Sequence, residues 1–380
     1  MVLRRYWQQL LETAWKRRNV LWLHGVRRVG KTVLCQSLPK IEYFDCELPS
    51  ARRAMEDPEA FLDGLRGKRV VLDEVHRLGN PSEMLKIAAD HYRDVHVIAT
   101  GSSTLSASRK FRDTLTGRKH DAWLTPMCLA DLADAKLTNL ERRLLHGGLP
   151  PFLLERAVEE REFQEWMDSY WAKDIQEMFR LERKDSFQKL TEMILAQSGG
   201  VFEASRFAAA CEVNRSTITN YLRVLEATFV AHVIRPYSTR EQNEIVSAPK
   251  VYGFDTGFVC AYRGWRELRR EDLGALWEHF ALNEIMTRTQ ARDVQYWRDK
   301  RGHEIDFVLL RRGGHATAVE CKWSATGFDA ANLAAFRRLH PLGENVVLAA
   351  DVKIAFQRNY GILKVRFEPL EQFASRLARA

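Results

Sequence analysis

The chain has 380 residues, of which 46% are hydrophobic and 28% charged, and its formal net charge is +8. This composition excludes a wholly disordered, collagen-like or coiled-coil chain, and the length predicts two or three domains. No apolar run approaches the roughly 18 residues of a membrane span, and the first residues lack the apolar stretch of a signal peptide. We therefore expect a cytoplasmic protein with no membrane partner and with reduced, mostly buried cysteines.

A nucleotide-binding loop is predicted near the N-terminus. The apolar segment 20–24 is typical of a buried strand, and residues 25–32 then match the pattern G-x-x-x-x-G-K-[ST]. In this motif backbone N–H groups surround the phosphates, the Lys31 ammonium reaches the β- and γ-oxygens, and the Thr32 hydroxyl binds Mg²⁺. A helix follows whose N-terminus faces the anion. The predicted residues that bind ATP are Gly25, Val26, Arg27, Arg28, Val29, Gly30, Lys31, Thr32 and Val33.

Polar residues also follow two later apolar segments. Residues 69–72 precede Asp73 and Glu74; Asp73 suits water-mediated Mg²⁺ coordination, and Glu74 suits polarisation of the attacking water. Residues 96–99 precede hydroxyl residues, so Thr100 or Ser102 is a candidate sensor of the γ-phosphate at the edge of a parallel sheet. Arg118 is a candidate arginine finger that acts across a subunit boundary and would require a homo-oligomer; a surface arginine in a loop is the alternative.

These motifs together resemble bacterial and archaeal P-loop ATPases of the AAA type that carry an uncharacterised C-terminal domain. The resembling stretches are 25–32, 72–74, 100–103, 117–118, 146–150 and the C-terminal pattern described below. The resemblance covers nearly the whole chain. It implies an α/β fold that begins with an AAA-like parallel sheet with helices on both faces, and it leaves the biological role open.

The middle of the chain is predicted to be a lid followed by a winged helix-turn-helix. The turn cluster at 147–151 marks the end of the ATPase core. Apolar side chains recur at helical spacing over 161–181 and predict a core helix of the lid. Residues 202–235 then resemble a winged helix-turn-helix, with helices over 204–210 and 215–227 and with wing strands over 229–234 and 249–254.

The second of these two helices is a candidate DNA-reading helix. Its apolar positions are Ile218, Tyr221, Leu222 and Leu225, which we expect to be buried. The opposite face presents Arg215, Ser216, Thr219, Asn220 and Arg223. Side chains of these types reach phosphates and base edges. Many modules of this shape act instead as lids or dimerisation units, and that alternative stays open.

The C-terminal third is predicted to be a restriction-endonuclease-like α/β domain. The pattern indicates helices over 273–288 and 330–339 and strands over 294–298, 305–310, 316–323 and 345–350. It resembles the PD-(D/E)XK nuclease pattern, with Asp306 as the first acid, Glu320 and Lys322 as the second half, and Glu278 as an additional helix acid. The resemblance implies that the three acids bind Mg²⁺ and that Lys322 orients or deprotonates water. A charged strand face that has lost this chemistry, or that only binds DNA, is the alternative.

We thus predict an AAA-type ATPase core over 1–150, a helical lid and winged helix over 151–249, and a nuclease-like domain over 250–380. The expected activity is ATP hydrolysis coupled to duplex or branched DNA, as a motor or an ATP-gated nuclease in a mobile-element or defence setting. A signalling or assembly switch with a catalytically inactive nuclease-like domain is the alternative, and a protein remodeller is disfavoured because no aromatic–glycine pore loop is evident. The predicted catalytic residues are Lys31, Asp73, Glu74, Thr100, Arg118, Asp306, Glu320 and Lys322. The predicted metal ligands are Thr32, Asp73, Glu278, Asp306 and Glu320.

Overall fold

The computed structural model describes residues 2–101, 109–155, 159–179, 181, 183–238, 248–310 and 315–378. The α-helices are α1 (Arg5–Trp15), α2 (Lys31–Gln36), α3 (Pro49–Ala54), α4 (Pro58–Asp63), α5 (Pro81–His91), α6 (Arg109–Leu115), α7 (Leu129–Asp134), α8 (Leu140–His146), α9 (Pro150–Leu154), α10 (Glu160–Tyr170), α11 (Gln176–Phe179), α12 (Lys184–Ala196), α13 (Ala204–Ala210), α14 (Arg215–Ala227), α15 (Thr256–Tyr262), α16 (Leu273–Thr289), α17 (Ala331–Leu339) and α18 (Leu370–Leu377). The strands are β1 (Val20–His24), β2 (Ile41–Asp45), β3 (Arg69–Asp73), β4 (His96–Thr100), β5 (Lys119–Trp123), β6 (Gly200–Val201), β7 (Ala231–Pro236), β8 (Lys250–Gly253), β9 (Gln295–Arg298), β10 (Glu304–Leu310), β11 (Ala316–Lys322), β12 (Asn345–Ala349), β13 (Phe356–Tyr360) and β14 (Leu363–Glu368).

The chain forms two compact units. The first unit comprises Met1–Thr138, Leu149–Lys184 and Arg223–Val230, and the second comprises Asn139–Gly148, Asp185–Leu222 and Ala231–Ala380. These bounds are not the linear ones predicted at 150 and 249, because a core or a sheet recruits whichever segments pack against it, regardless of their order in the chain. The predicted domain bounds remain a prediction.

A five-stranded parallel sheet forms the centre of the first unit, in the order β2-β3-β4-β1-β5. Strand β1 is buried along its whole length, as is typical of a parallel strand covered on both faces. Trp22, Val70, Leu72 and Val97 contribute to the hydrophobic core of the unit. Since β1 and β3 both pair with β4, the segments that follow these three strands meet at one edge of the sheet. This confirms the predicted P-loop ATPase type of fold.

A long helical segment of the first unit follows the ATPase core. Helix α10 continues through one π-helical turn, Trp171–Ile175, into α11, which confirms the predicted helix as far as Phe179. Trp166 and Tyr170 are buried and their rings stack 5.3 Å apart. A π-helical turn contains one residue more than an α-helical turn, and such turns are frequent at functional sites.

The second unit is built on a mixed nine-stranded sheet, in the order β13-β14-β12-β11-β10-β9-β7-β8-β6. The predicted C-terminal strands and helices are present with small shifts at their ends. The predicted wing strands are also found, as β7 and β8, which pair antiparallel inside this same sheet. Strands β13 and β14 and helix α18 were not anticipated. Strand β13 is largely exposed at the sheet edge and therefore lacks the buried alternation that marks a strand in sequence.

The predicted helix-turn-helix is present as α13 and α14. The four apolar positions predicted for the inner face of α14 are all buried, and Arg215, Asn220 and Arg223 are exposed. The Asn214 carboxamide accepts a hydrogen bond of 2.7 Å from the backbone N–H of Thr217 and so caps the start of this helix. The six cysteines are unpaired and buried, as predicted. Among the described residues we find no helix with the length and apolar character of a membrane span.

Candidate functional site

The loop between β1 and α2 has the backbone that its glycines allow. Gly25 has φ 147° and Gly30 has φ 97°, backbone conformations that residues with a Cβ atom rarely adopt. A Cβ atom on Gly25 would also lie 2.3 Å from the Leu124 carbonyl oxygen. The Lys31 ammonium donates hydrogen bonds to the carbonyl oxygens of Gly25, at 2.9 Å, and of Val26, at 3.2 Å. The loop thus holds the Lys31 ammonium against two of its own backbone carbonyl groups.

Asp73 lies at the carboxyl end of β3 and receives hydrogen bonds from three hydroxyl groups. Thr32 donates to Asp73 Oδ2 at 2.8 Å, Tyr43 donates to the same oxygen, and Thr100 donates to Oδ1. Mg²⁺ in nucleotide sites is bound by one or two protein oxygens together with phosphates and waters. The adjacent Thr32 hydroxyl and Asp73 carboxylate fit that ion. Sequence reasoning missed Tyr43, because only the pairing of β2 with β3 brings it there.

Glu74 follows Asp73 in a left-handed backbone conformation, with φ 55°. Its N–H donates to the Thr100 hydroxyl oxygen at 3.2 Å, and its carboxylate lies 3.1 Å from His76 Nδ1. Burial alone would raise the pKa of Glu74, but the hydrogen bond from His76 and the charges of Lys31 and Arg27 outweigh it and lower the pKa. Glu74 is therefore ionised at neutral pH, as a group that activates water must be. His76 is a second residue that the sequence analysis missed.

A cavity of about 340 Å³ opens in front of these groups. Of the predicted nucleotide-binding residues, those from 27 to 33 line it, and Glu74 and His76 line it as well. Lys173 and Asp174, from the π-helical turn, form part of the same wall. Nothing in the sequence pattern marked these two residues, because they lie within a segment whose regular apolar spacing indicates only a core helix. The cavity collects polar groups from four separate segments of the first unit.

The second unit contains a cluster of carboxylates and lysines on β8, β10, β11 and α16. Lys322 Nζ lies 2.9 Å from Glu320 Oε2, so both side chains project from one face of β11. Asp306 accepts a hydrogen bond of 2.7 Å from the backbone N–H of Cys321. Burial, reinforced by the charges of Glu278 and Glu320, raises the pKa of Asp306 well above its usual value. The predicted acids are thus close enough to repel one another.

Sequence reasoning missed three residues of this cluster, Lys250, Tyr252 and Glu304. The buried Lys250 ammonium lies 3.3 Å from Glu278 Oε1 and also donates to Glu304, and Tyr252 donates a hydrogen bond to Glu278. Within the described parts of the chain, three or more His, Cys, Asp or Glu side chains are nowhere arranged to hold a metal ion. Lys250 and Lys322 compensate part of the carboxylate charge here, and the metal role of Glu278, Asp306 and Glu320 stays a prediction.

Comparison with known proteins agrees with the geometry of the first unit. Residues 17–133 match the AAA domain family. Two domain families of unknown function match later parts of the chain, DUF8612 over residues 137–269 and DUF4143 over residues 273–366. The AAA domain therefore contains the P-loop, Asp73, Glu74 and Thr100. The DUF4143 match contains Glu278, Asp306, Glu320 and Lys322, and the nuclease resemblance of that region remains a prediction.

Alignments with several known proteins cover more than half of the chain. The uncharacterized protein Rv2008c of Mycobacterium tuberculosis is 25% identical over 328 residues, which cover 83% of this chain and 73% of that protein. Among solved structures, the Walker-type ATPase PABY2304 of Pyrococcus abyssi is 14% identical with a TM-score of 0.45, over 69% of this chain and 96% of that chain. The AMPPCP-bound DnaA of Aquifex aeolicus is 12% identical with a TM-score of 0.30, over 58% and 87%.

Among the described residues predicted for the nucleotide site, Thr100 and Arg118 do not line the cavity, and neither do Gly25, Val26 and Asp73. Thr100 is fully buried and its hydroxyl contacts Asp73, an arrangement that orients the Asp73 carboxylate. Arg118 is half-exposed, with its Nε 2.9 Å from Asp90 Oδ1. Ser102, the other candidate sensor, lies outside the described residues. The sensor role of Thr100 and the action of Arg118 across a subunit boundary remain predictions.

Proposed function

We propose that the AAA domain binds ATP with Mg²⁺ and hydrolyses it to ADP and phosphate. The observation that carries this proposal is that Lys31, Thr32 and Glu74 line one cavity and that Thr32 donates a hydrogen bond to Asp73. Thr32 and Asp73 are the residues that would hold Mg²⁺, which neutralises charge on the phosphates when bound. Steady-state ATP hydrolysis by the purified chain and by variants of Lys31 and Glu74 tests the proposal.

The residues of the cavity divide the chemistry among them. The loop N–H groups and the Lys31 ammonium bind the β- and γ-phosphates. The ionised Glu74 carboxylate accepts a hydrogen bond from the attacking water and orients it towards the γ-phosphorus. His76 and the Thr100 hydroxyl fix Glu74 from the side-chain end and the backbone end. Positioning and charge stabilisation account for most catalysis of phosphoryl transfer, and the cavity supplies both.

We infer that the protein acts on duplex or branched DNA and does so as a homo-oligomer. Support comes from the net charge of +8 and from the exposed polar face of α14, which carries Arg215 and Arg223. Cationic side chains release counterions when they contact phosphates, which favours binding at low salt. The trans action of Arg118 would require the second copy.

Replacing Arg215 and Arg223 by alanine is expected to weaken DNA binding. Each lost phosphate contact removes about one unit from the slope of log affinity against log salt concentration. The measurement is duplex binding by fluorescence anisotropy between low and moderate salt. Arg338→Ala removes an exposed arginine from α17 and is the control, with its slope unchanged. Identical slopes for all variants would mean that α14 does not contact DNA.

The alternative function is a nucleotide-dependent assembly switch with a catalytically inactive C-terminal domain. The observation that favours it is the pairing of Lys250 and Lys322 with Glu278 and Glu320, since these ammonium groups balance the charge that a metal would otherwise balance. Salt-dependent DNA binding supports the first function. ATP-dependent assembly with no DNA binding at low salt supports the switch.

The C-terminal acids are tested by melting the full chain with Mg²⁺ or Mn²⁺. If Glu278, Asp306 and Glu320 bind the ion, the melting temperature of the Asp73→Asn protein, which lacks the carboxylate proposed to bind Mg²⁺ in the AAA domain, should rise by about 3–6 °C. Asp306→Asn should remove that rise, and Glu371→Gln, an exposed control, should not. The full chain is used because β8 pairs with β6 and β7, which precede residue 250. An unchanged melting temperature would contradict the metal site.

Nicking of DNA provides the second readout of this cluster. If the site is catalytic, Asp306→Ala and Lys322→Ala each abolish Mg²⁺-dependent nicking of a supercoiled plasmid and leave ATP hydrolysis unchanged. Metal-dependent stabilisation without nicking on any DNA form would assign the cluster a binding or regulatory role.

A further inference from the structure

An ion pair joins the P-loop to the π-helical turn that follows the ATPase core. Arg27 Nε donates to Asp174 Oδ2 at 2.9 Å, and the Trp166 indole N–H donates to the Arg27 carbonyl oxygen at 3.1 Å. Arg27 is therefore bound to one helical segment through both its side chain and its backbone. Both residues belong to the first unit, and both line the cavity in which we place ATP.

The pair differs in accessibility at its two ends. The Asp174 side chain is 8% exposed, whereas 26% of the Arg27 side chain is exposed, at the cavity wall. A guanidinium carries five N–H donors and forms bidentate contacts with phosphates as well as with carboxylates. Arg27 can therefore exchange a carboxylate oxygen for a phosphate oxygen by a change of side-chain torsions, without a change in the fold of the loop.

The position of the pair corresponds to the γ-phosphate end of the cavity. In this motif the Lys31 ammonium contacts the β- and γ-phosphate oxygens, and Glu74 contacts the attacking water beyond the γ-phosphorus. Burial lowers the pKa of Lys31, the Arg27 charge adds to that lowering and the Asp174 charge opposes it; the Arg27 charge also helps to lower the pKa of Glu74, so the ion pair lies within electrostatic reach of both groups. With the phosphates placed by Lys31 in this way, a triphosphate would extend into this region and a diphosphate would end short of it.

We propose that the Asp174 carboxylate and the γ-phosphate of ATP compete for the Arg27 guanidinium, and that this competition makes the site distinguish ATP from ADP. The inference rests on the proposed nucleotide-binding function and names the residues that read the γ-phosphate. Asp174 acts as a positioning residue through Arg27. Since the π-helical turn carries Asp174, release of Arg27 also frees this turn from the P-loop when a triphosphate binds.

Asp174→Asn tests the competition because it removes the charge and keeps the shape of the side chain. A hydrogen bond between charged partners commonly changes affinity by about tenfold or more. We expect the variant to bind a non-hydrolysable ATP analogue about tenfold more tightly, with ADP affinity changed less than about twofold, measured by isothermal titration calorimetry. Asp174→Glu keeps the carboxylate and should restore the ratio of the two affinities towards the wild-type value.

Two further variants separate competition from a structural role. Arg27→Gln, at a partly exposed site, should weaken the ATP analogue about tenfold without affecting ADP, and Asp174→Asn should then have no additional effect. Asp168→Asn removes a carboxylate from the same helical segment, where it is 55% exposed, and should change neither affinity. These variants keep the test informative if Asp174→Asn fails to fold.

The opposite results are equally specific. Equal loss of ADP and ATP-analogue affinity in Asp174→Asn or Arg27→Gln would show that the ion pair only supports the loop, and would overturn the inference. A wild-type chain that binds neither nucleotide would overturn the proposed function, and this inference with it. The two failures are distinguished by the wild-type titration, which is measured first.

Discussion

Glu74→Gln is expected to lower the rate of ATP hydrolysis by at least about 100-fold while ATP affinity changes less than about threefold. The amide is nearly isosteric with the carboxylate but is too weak a base to orient and activate water. The neighbouring Thr100 contact to the backbone of Glu74 is retained, so the loop keeps its conformation. Turnover is measured by phosphate release and affinity by titration with a fluorescent nucleotide.

Lys31→Ala is the companion variant and should lose both binding and turnover, because the loop then lacks the ammonium that neutralises the β- and γ-phosphates. Glu47→Gln provides the matched control. It makes the same chemical change at another carboxylate of the cavity wall, where Glu47 lies 3.7 Å from Arg77. Hydrolysis by Glu74→Gln at the rate of the control would contradict the assignment of the water-activating group.

Lys250→Met is expected to destabilise the second unit by about 3 kcal/mol. The Lys250 side chain is 6% exposed, and its removal leaves Glu278 and Glu304 as carboxylates in a confined space without their shared cation. Methionine occupies a similar volume, so the loss reflects charge and not a cavity. For a unit of this size the melting temperature should fall by roughly 6–10 °C, measured by differential scanning calorimetry.

The pH dependence of this loss follows from the ammonium. Burial would lower the pKa of Lys250, but the charges of Glu278 and Glu304 outweigh it and raise the pKa above its ordinary value of 10.5. A raised pKa gives stability that is complete below the ordinary value and is lost as the pH rises through the folded value. The difference between Lys250→Met and wild type should therefore be the same at pH 6 and pH 9. Lys300→Met, at an exposed position, should melt like wild type, and equal melting of both variants would contradict the role of Lys250.

Sequence patterns identified the parts of the molecule whose interactions are local. The glycine spacing of the P-loop, the apolar runs of β1, β3 and β4, and the helical spacing of α14 each depend on residues a few positions apart, so each is visible in the chain itself. The same holds for Glu320 and Lys322, which are two residues apart on one strand and do contact each other. For such features the predicted element and the observed one differ by a few residues at the ends.

The tertiary structure alone decided which distant residues complete each site. Tyr43 reaches Asp73 because β2 pairs with β3, Asp174 reaches Arg27 across 147 positions, and Lys250 joins Glu278 and Glu304 from a strand that precedes them. A single carboxylate or lysine forms no repeating pattern in the sequence that would predict its partner. Pairing becomes favourable only when folding buries both charged groups, because a buried charge without a partner is costly. The sequence by itself therefore determined the P-loop and its strand, and long-range packing determined which charged residues surround them.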